Sequence, residues 1–371
     1  SVAQRLGLDQ SATSTLVRLI RLHLAMVQVS QRRDLDDPNE IRRFAAQVEN
    51  VETLSLLTLL TVADALGTSV DLWNGFKDSL LLTLYHRTRE MLAGAEEFAL
   101  AEERRRARLA HAVRAMLPNA IPADELEAHF ASMPPRYFLL SSPEEIAADI
   151  ELVHQFLRRL YESAEDPLVP VVAWRDEPDR GFTVVRLATW DRPGLFNNMA
   201  GALTAAGLNI FSAEIFTRTD EIVLDTFYVT DAIAGHLVSA DARAEFEDVL
   251  RGALRGGLDL ASCIRHRMAR WSAYRPSEGE RIPTVIRFDN VSSDSRTVLD
   301  VEAQDCVGFL HTVSHVLSEL GIDISLAKIC TGKGAASDSF YVTERDGAKI
   351  LDVRRQETIA ARLRQAIASL G

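Results

Sequence analysis

Asp191-Arg192-Pro193-Gly194-Leu195-Phe196 opens an apolar helical pattern that ends at Ala206-Gly207-Leu208-Asn209-Ile210, and Asp225-Thr226-Phe227-Tyr228-Val229-Thr230 follows. The same order returns as Asp305-Cys306-Val307-Gly308-Phe309-Leu310, then Leu320-Gly321-Ile322-Asp323-Ile324, then Asp338-Ser339-Phe340-Tyr341-Val342-Thr343. The spacing is 305 − 191 = 114 residues at the first block and 338 − 225 = 113 at the last, so one residue has slipped. A segment that recurs in this way specifies two small domains of one kind.

Working outward from the first copy, Thr183 to Trp190 is rich in β-branched residues and predicts a strand. Pro193 is expected at the first helical position, where its missing N–H costs nothing, with Asp191 just outside as a capping type. Leu195, Met199, Ala202, Leu203 and Ala206 recur at helical spacing, and Gly207 ends the helix. Leu208 to Thr217 and Ile222 to Thr230 predict two strands, Ser239 to Arg255 a second helix, and Leu258 to His266 a last strand. The order is β-α-β-β-α-β, a ferredoxin-like unit. The second copy predicts strands at Arg296 to Ala303, Ile322 to Thr331 and Asp338 to Glu344, with helices at Gly308 to Leu320 and Val353 to Leu370. A short strand-like run precedes each copy, Val169 to Trp174 and Thr284 to Phe288.

The other part of the chain is helical in period, so the fold class is α+β. Helices are expected at Ser14 to Gln31, from Pro38 onward, at Glu52 to Leu66, Asp71 to Ala93 and Glu96 to Leu117, and from Ser141-Ser142-Pro143 to Tyr161. The charged run Glu102 to Arg106 is expected on a solvated helix face. The domain plan is therefore a helical domain at 1–130, a helical connector at 131–166, and the two copies at 167–270 and 280–371.

Bulk properties bound the function. The 371 residues are 47% hydrophobic, enough for real cores, and carry a formal net charge of −12. That balance argues against a nucleic-acid partner, which needs a basic face. Three scattered cysteines, Cys263, Cys306 and Cys330, read as a reduced, cytoplasmic protein with neither a disulfide framework nor a zinc finger. The apolar runs are short and interrupted, so no membrane span is expected. Ser1 already sits in a helical pattern, and the chain is expected to be a fragment or a processed form.

Two ionisable residues stand in apolar helical surroundings: His23 before Leu24-Ala25-Met26-Val27, and Asp64 after Leu59-Leu60-Thr61-Val62-Ala63. A buried carboxylate is expensive unless paired or bound to metal. A His and an Asp from neighbouring helices suit a divalent ion. Taken alone, a lone helical histidine is more often a satisfied core residue, and Asp64 also suits a cap or a pair with an arginine.

An Asp-Arg-Pro-Gly-Leu turn with a Gly-Leu-Asn-Ile break after it resembles the ACT domain, a small-molecule sensing module that pairs side by side. By that resemblance an amino acid is expected at the turn Asp191, Arg192, Pro193, Gly194 and Leu195, closed by Asn209 and Ile210 of a packed ACT neighbour. Asp305, Gly308 and Asp323 mark the second copy's equivalent. A helix N-terminus offers N–H groups and a positive dipole end to a carboxylate, and glycine permits close approach. Pairing is expected within the chain or in a homodimer.

The order of pieces is longer than the ACT pair. His23-Leu24-Ala25-Met26, Gln31-Arg32-Arg33-Asp34-Leu35-Asp36-Asp37-Pro38, Thr61-Val62-Ala63-Asp64, Trp73-Asn74-Gly75-Phe76-Lys77 and Met133-Pro134-Pro135-Arg136-Tyr137-Phe138 precede it in sequence. In this order they resemble the C-terminal part of the bifunctional PII uridylyltransferase/uridylyl-removing enzymes. The resemblance implies an HD-type helical region that strips UMP from the regulatory protein PII, and ACT domains that sense glutamine. It implies His23 and Asp64 as ligands of a divalent metal, Mg²⁺ or Mn²⁺, and Arg32, Arg33, Asp34 and Lys77 as the charged lining around the phosphate. No His-Asp doublet and no nucleotidyltransferase signature occur in the chain, so the segment is expected to be catalytically incomplete. Two other readings are a stand-alone amino-acid-binding ACT regulator, and an HD phosphohydrolase acting on nucleotides such as ppGpp.

Overall fold

The computed structural model describes the chain apart from residues 1–4, 36, 69–74, 94, 135–136, 139–140, 163–168, 234, 271–281, 307, 330, 333–334 and 371; for residues 68, 75–76, 79, 95–105, 268–270 and 331–332 it describes the backbone alone. Asp36, Asp71 to Asn74, Pro135-Arg136, Val307 and Cys330 thus lie outside the described residues, as do the side chains of Phe76 and of Glu102 to Arg105. Two compact units divide between Arg104 and Arg105.

The first unit is helical: α1 (Gln10–Leu22), α2 (Ala25–Arg32), α3 (Pro38–Val48), α4 (Val51–Thr68) and α5 (Gly75–Ala93), with α6 (Ala95–Met116) running across the division. Asp9 caps α1 by accepting from the Ala12 N–H at 2.7 Å. Asp37 caps α3 by accepting from the Asn39 N–H at 2.9 Å, with Pro38 just inside. The single helix expected over Ser14 to Gln31 is broken at His23-Leu24. There the His23 ring N–H donates to the Ile20 carbonyl at 2.7 Å, a local bond that competes with continuation. Met26, Leu35, Ile41, Phe44, Val48, Leu54, Leu57, Leu81 and Leu84 form the core.

The second unit starts with α7 (Ala123–Ser132) and α8 (Pro143–Glu162). A reciprocal cap opens α8: the Glu145 N–H donates to Ser142 Oγ at 3.2 Å, and the Ser142 N–H to Glu145 Oε2 at 3.0 Å. Then come β1 (Val171–Glu177), β2 (Phe182–Trp190), α9 (Leu195–Ala205), β3 (Leu208–Thr217), β4 (Ile222–Asp231), α10 (Ala240–Leu254) and α11 (Leu260–Arg270). The second half repeats them as β5 (Val285–Asp289), β6 (Thr297–Gln304), α12 (Phe309–Glu319), β7 (Ile322–Lys328), β9 (Ala335–Glu344) and α13 (Val353–Ala368), with the two-residue β8 (Thr331–Gly332) against β9.

All strands join one antiparallel sheet in the order β1-β2-β4-β3-β7-β9-β6-β5. The halves meet edge to edge at β3 and β7, with Ser212 opposite Lys328, Ala213 opposite Ala327 and Glu214 opposite Leu326. This sheet and the five helices after β2 bury one core, from Val185 and Leu187 through Met199, Phe227 and Phe246 to Val313, Phe340 and Leu363. On β2 the alternate residues point the other way, and Ala188 packs with Phe216, Leu224, Tyr137, Ile146 and Phe156 in a second core. Helices α7 and α8 supply the cover there, so β2 is buried on both faces.

The expected β-α-β-β-α-β order is corrected. Leu258 to His266 is not a strand, because Leu260 begins helix α11. Leu260 and Ile264 are its buried pair at helical spacing, and the Ser262 N–H donates to Asp259 Oδ1 at 3.3 Å. The sheet position beside β2 is already filled by β1, which pairs from Val171 opposite Ala188 to Glu177 opposite Phe182. Each half therefore runs β-β-α-β-β-α: the strand-like run before each copy supplies the edge strand, and in the first half it holds the place expected of the trailing strand. The first turn is corrected too. Gly194, at φ 75°, is the N-cap of α9, so Pro193 stands in the turn before the helix.

Candidate functional site

A cavity of about 270 Å³ opens at the seam between the two halves. One wall is the second copy's turn, Asp305, Cys306 and Gly308, with Phe309 and Leu310 of α12. The facing wall is the start of β3, Leu208, Asn209 and Ile210, with Thr204. Ala336, Asp338 and Ile329 line it as well. Gly308 is held at φ 85°, a conformation that favours glycine, and caps α12 without a side-chain hydrogen bond. A β-bulge lies between Ile210 and Ser212, and there the Ile329 N–H donates to the Phe211 carbonyl at 3.0 Å. Among the described residues no basic side chain lines the cavity; their polar groups are two carboxylates, an amide, a hydroxyl and a thiol. Burial, and next the Asp305 charge, push the Cys306 thiol up to about 11, so it stays protonated at neutral pH.

The first copy's turn is built alike and charged differently. Asp191 is exposed, Pro193 is exposed, and Leu195 is buried as the first residue of α9. Arg192 donates from Nη2 to Thr189 Oγ1 at 3.4 Å. Asp225 is 2% exposed, and one of its carboxyl oxygens has no hydrogen-bond partner among the described residues. Burial raises its pKa well above the usual range, and Asp191 raises it further. Asp323 is raised by burial and then by Asp191, with Arg345 opposing. Three acids thus converge where the other turn has Asp305, Asp338 and the neutral Asn209. Asn209 and Ile210 close the second turn, and Asp323 faces the first.

Comparison with known proteins fits this geometry. Residues 285–370 match the model of an ACR9-like, ACT-like domain. Bifunctional uridylyltransferase/uridylyl-removing enzymes align along nearly the whole chain. That of Ruegeria pomeroyi is 32% identical over 99% of the chain and 39% of its own length. That of Azospirillum brasilense is 34% identical over 98% and 38%, and that of Gluconobacter oxydans 34% over 99% and 38%. The chain belongs to this family. It spans 38–39% of the length of these relatives.

In the helical unit of this uridylyltransferase/uridylyl-removing family member, the candidate residues stand on several helices and the loop after α2. His23 is half-buried at the end of α1, with one ring nitrogen committed to the Ile20 carbonyl. Asp64 lies exposed on α4, so the burial argument for it does not hold; Leu59, Ala63 and Leu66 beside it are exposed as well. Asp34 is fully buried, while Arg32, Arg33 and Lys77 are half-buried. Glu40, which the sequence reading passed over, is buried nearby on α3; it pairs with Arg43 at 2.8 Å, and burial raises its pKa against the pull of Arg43 and Arg33. Among the described residues no three His, Cys, Asp or Glu side chains cluster as a metal site. Among the described residues, no helix is long and apolar enough to cross a membrane.

A buried polar network was also missed. Tyr137 donates to Asp149 Oδ2 at 2.8 Å, and its hydroxyl lies 3.1 Å from His129 Nε2. Arg186 of β2 reaches Asp149 Oδ1 at 3.4 Å and Glu145 Oε1 at 3.1 Å. Burial, then the Arg218 charge, push His129 down to about 3, so the ring is neutral. The sequence did carry a signal, since Asp149 stands among Ile146, Ala147, Ile150 and Val153 on the apolar face of α8.

Proposed function

We propose that this chain is the regulatory and uridylyl-removing part of a PII-modifying enzyme, and that its ACT halves sense glutamine in the cavity between Asn209 and the Asp305–Gly308 turn. The carrying observation is the chemistry of that cavity: two carboxylates and an amide around apolar walls, beside a helix N-terminus, with no basic side chain among the described residues. Glutamine presents one ammonium, one carboxylate, two methylenes and an amide. Its ammonium suits Asp305 and Asp338. Its carboxylate suits the first turn of α12, where N–H groups and the dipole favour an anion. Its methylenes suit Ile210, Phe309 and Leu310, and its amide suits Asn209 and Thr204. Glutamate brings a second carboxylate, which meets the like charge of Asp305 and Asp338.

For the longer protein the same reading assigns removal of UMP from PII in the cytoplasm, with Arg32, Arg33, Asp34 and Lys77 near the phosphodiester. The hydrolytic centre depends on a divalent ion, Mg²⁺ or Mn²⁺. His23 and Asp64 would supply two of its ligands, too few for a complete site.

The test is calorimetric titration of the chain with glutamine and with glutamate. Glutamine binds, and glutamate binds about tenfold or more weakly, a difference of roughly 1.4 kcal/mol. Equal affinity for both, or no heat with glutamine, would sink the assignment. Glutamine binding with no influence on UMP removal by the longer enzyme would leave an amino-acid-binding ACT regulator.

A further inference from the structure

We propose that strand β3 reports occupancy of the cavity to helices α7 and α8 on the opposite face of the sheet; this rests on reading the cavity as the effector site. The strand touches both places. Leu208, Asn209 and Ile210 at its start line the cavity. At its other end Phe216 packs edge-on against Tyr137, with ring centres 5.3 Å apart. Just beyond, the Thr219 N–H donates to the Ser132 carbonyl, the last residue of α7, at 3.1 Å. Ten strand residues span roughly 30 Å, so one element bridges the two sites.

The middle of the strand is built to move as a rod. It is hydrogen-bonded to β4 on one side and β7 on the other, and Ala213 is fully buried. A paired strand in a close-packed layer transmits a shift along its axis instead of absorbing it. The bulge at Phe211 is where the cavity end has freedom, and a ligand drawn between Asn209 and the Asp305–Gly308 turn acts there.

The far end has somewhere to go. A void of about 40 Å³ lies among Arg218, His129, Glu125, Ile150, Val153 and Leu157. His129 Nδ1 lines this joint, buried and without a hydrogen-bond partner among the described residues. Arg218 is 5% exposed and bonded to Asp220 at 2.7 Å. With Nε2–H directed at the Tyr137 hydroxyl, Nδ1 is an acceptor. Arg218 can swing from Asp220 into the void and donate to it. The joint therefore has two arrangements, Arg218 on Asp220 or Arg218 on His129, and a shift of β3 selects between them. The second draws α7 toward the sheet. Across the seam, no such joint is found at β7 among the described residues: α7 and α8 cover the first half.

The experiment is hydrogen exchange read by mass spectrometry on the full chain, with and without saturating glutamine, using α13 as internal reference. Exchange in residues 125–138 and 216–221 changes about fivefold, beyond any change in α13. In Phe216→Leu the change at 125–138 is lost, while protection at 305–310 remains. Protection at 305–310 with nothing at 125–138 overturns the route and leaves the effector reading standing. No protection at either place overturns both. A uniform slowing that includes α13 is general stabilisation by ligand and overturns the route. So does Phe216→Leu that keeps the change.

Discussion

At both turns a glycine in the left-handed region passes a strand into a helix without a side-chain cap, Gly194 at φ 75° and Gly308 at φ 85°. Only their surroundings differ. A β-carbon at Gly194 would stand 3.4 Å from Ser318 Oγ, and one at Gly308 would stand 3.2 Å from Ile264 Cγ2. The Gly308 turn faces Asn209 across a cavity of about 270 Å³. The Gly194 turn faces Asp323, with Asp225 buried beside it and Asp191 raising the pKa of both. Duplication thus preserved the backbone and let charge diverge. A carboxylate-bearing ligand meets two acids and an amide at one turn, and three acids at the other. Backbone likeness alone is a poor guide to which copy binds.

The sharpest way to break this comparison is to block each turn in turn. Gly308→Val puts a β-branched side chain at positive φ and fills the cavity wall, and glutamine affinity should fall about 100-fold or more. Gly194→Val carries the same backbone strain, about 1–2 kcal/mol, and should leave affinity within about threefold. Calorimetry gives the affinities, and thermal unfolding shows whether both variants are equally strained. Loss of binding in Gly194→Val alone would exchange the roles of the two turns.

Much of this is legible in the sequence alone. The repeat was visible because each half needs the same few things: a β-branched strand, a glycine turn, an apolar helix face, a second glycine. Those local demands leave marks at fixed spacing. What the sequence hid was competition. Leu258 to His266 has enough apolar residues for a strand, but β1 already holds the edge beside β2, and Leu260 and Ile264 fit a helix face instead. Edge occupancy is a long-range fact. The resemblance places Asn209 and Ile210 of a packed neighbour at the Asp191 turn, whereas the antiparallel β3–β7 seam sets them against the Asp305–Gly308 turn of the second copy. Asp64 misled because an acid in an apolar run reads as buried, whereas on α4 it points to solvent.

Charge can be exchanged between the two turns to sharpen the contrast. Asn209→Asp gives the cavity the third acid that Asp323 gives the first turn, and affinity for glutamine should drop about tenfold. Asp323→Asn makes the reverse change away from the cavity, and affinity should hold within about twofold. Raising the salt concentration should recover part of the Asn209→Asp loss, since screening weakens repulsion between partly exposed charges. A loss that salt leaves untouched would mean that Asn209 acts through its hydrogen bonds and not through its neutrality.

The smallest effect expected is on stability, and it tests the buried acid of the first turn. Asp225 has its pKa raised by burial and by Asp191, and one oxygen finds no partner among the described residues. A carboxyl whose pKa rises on folding is held best while protonated. Its contribution is complete below the unfolded value of 3.8 and drains away as pH climbs through the raised folded value. Asp225→Asn keeps the shape and removes the ionisation. At neutral pH the variant should be more stable than the parent by about 1 kcal/mol. The gap should shrink toward pH 4 and vanish below it, because the parent is then neutral as well. Denaturant melts across that pH range measure it directly. A variant less stable than the parent at pH 7 would mean that Asp225 is ionised and held by a cation at the turn. The charge contrast between the two turns would then be smaller than the acids alone suggest.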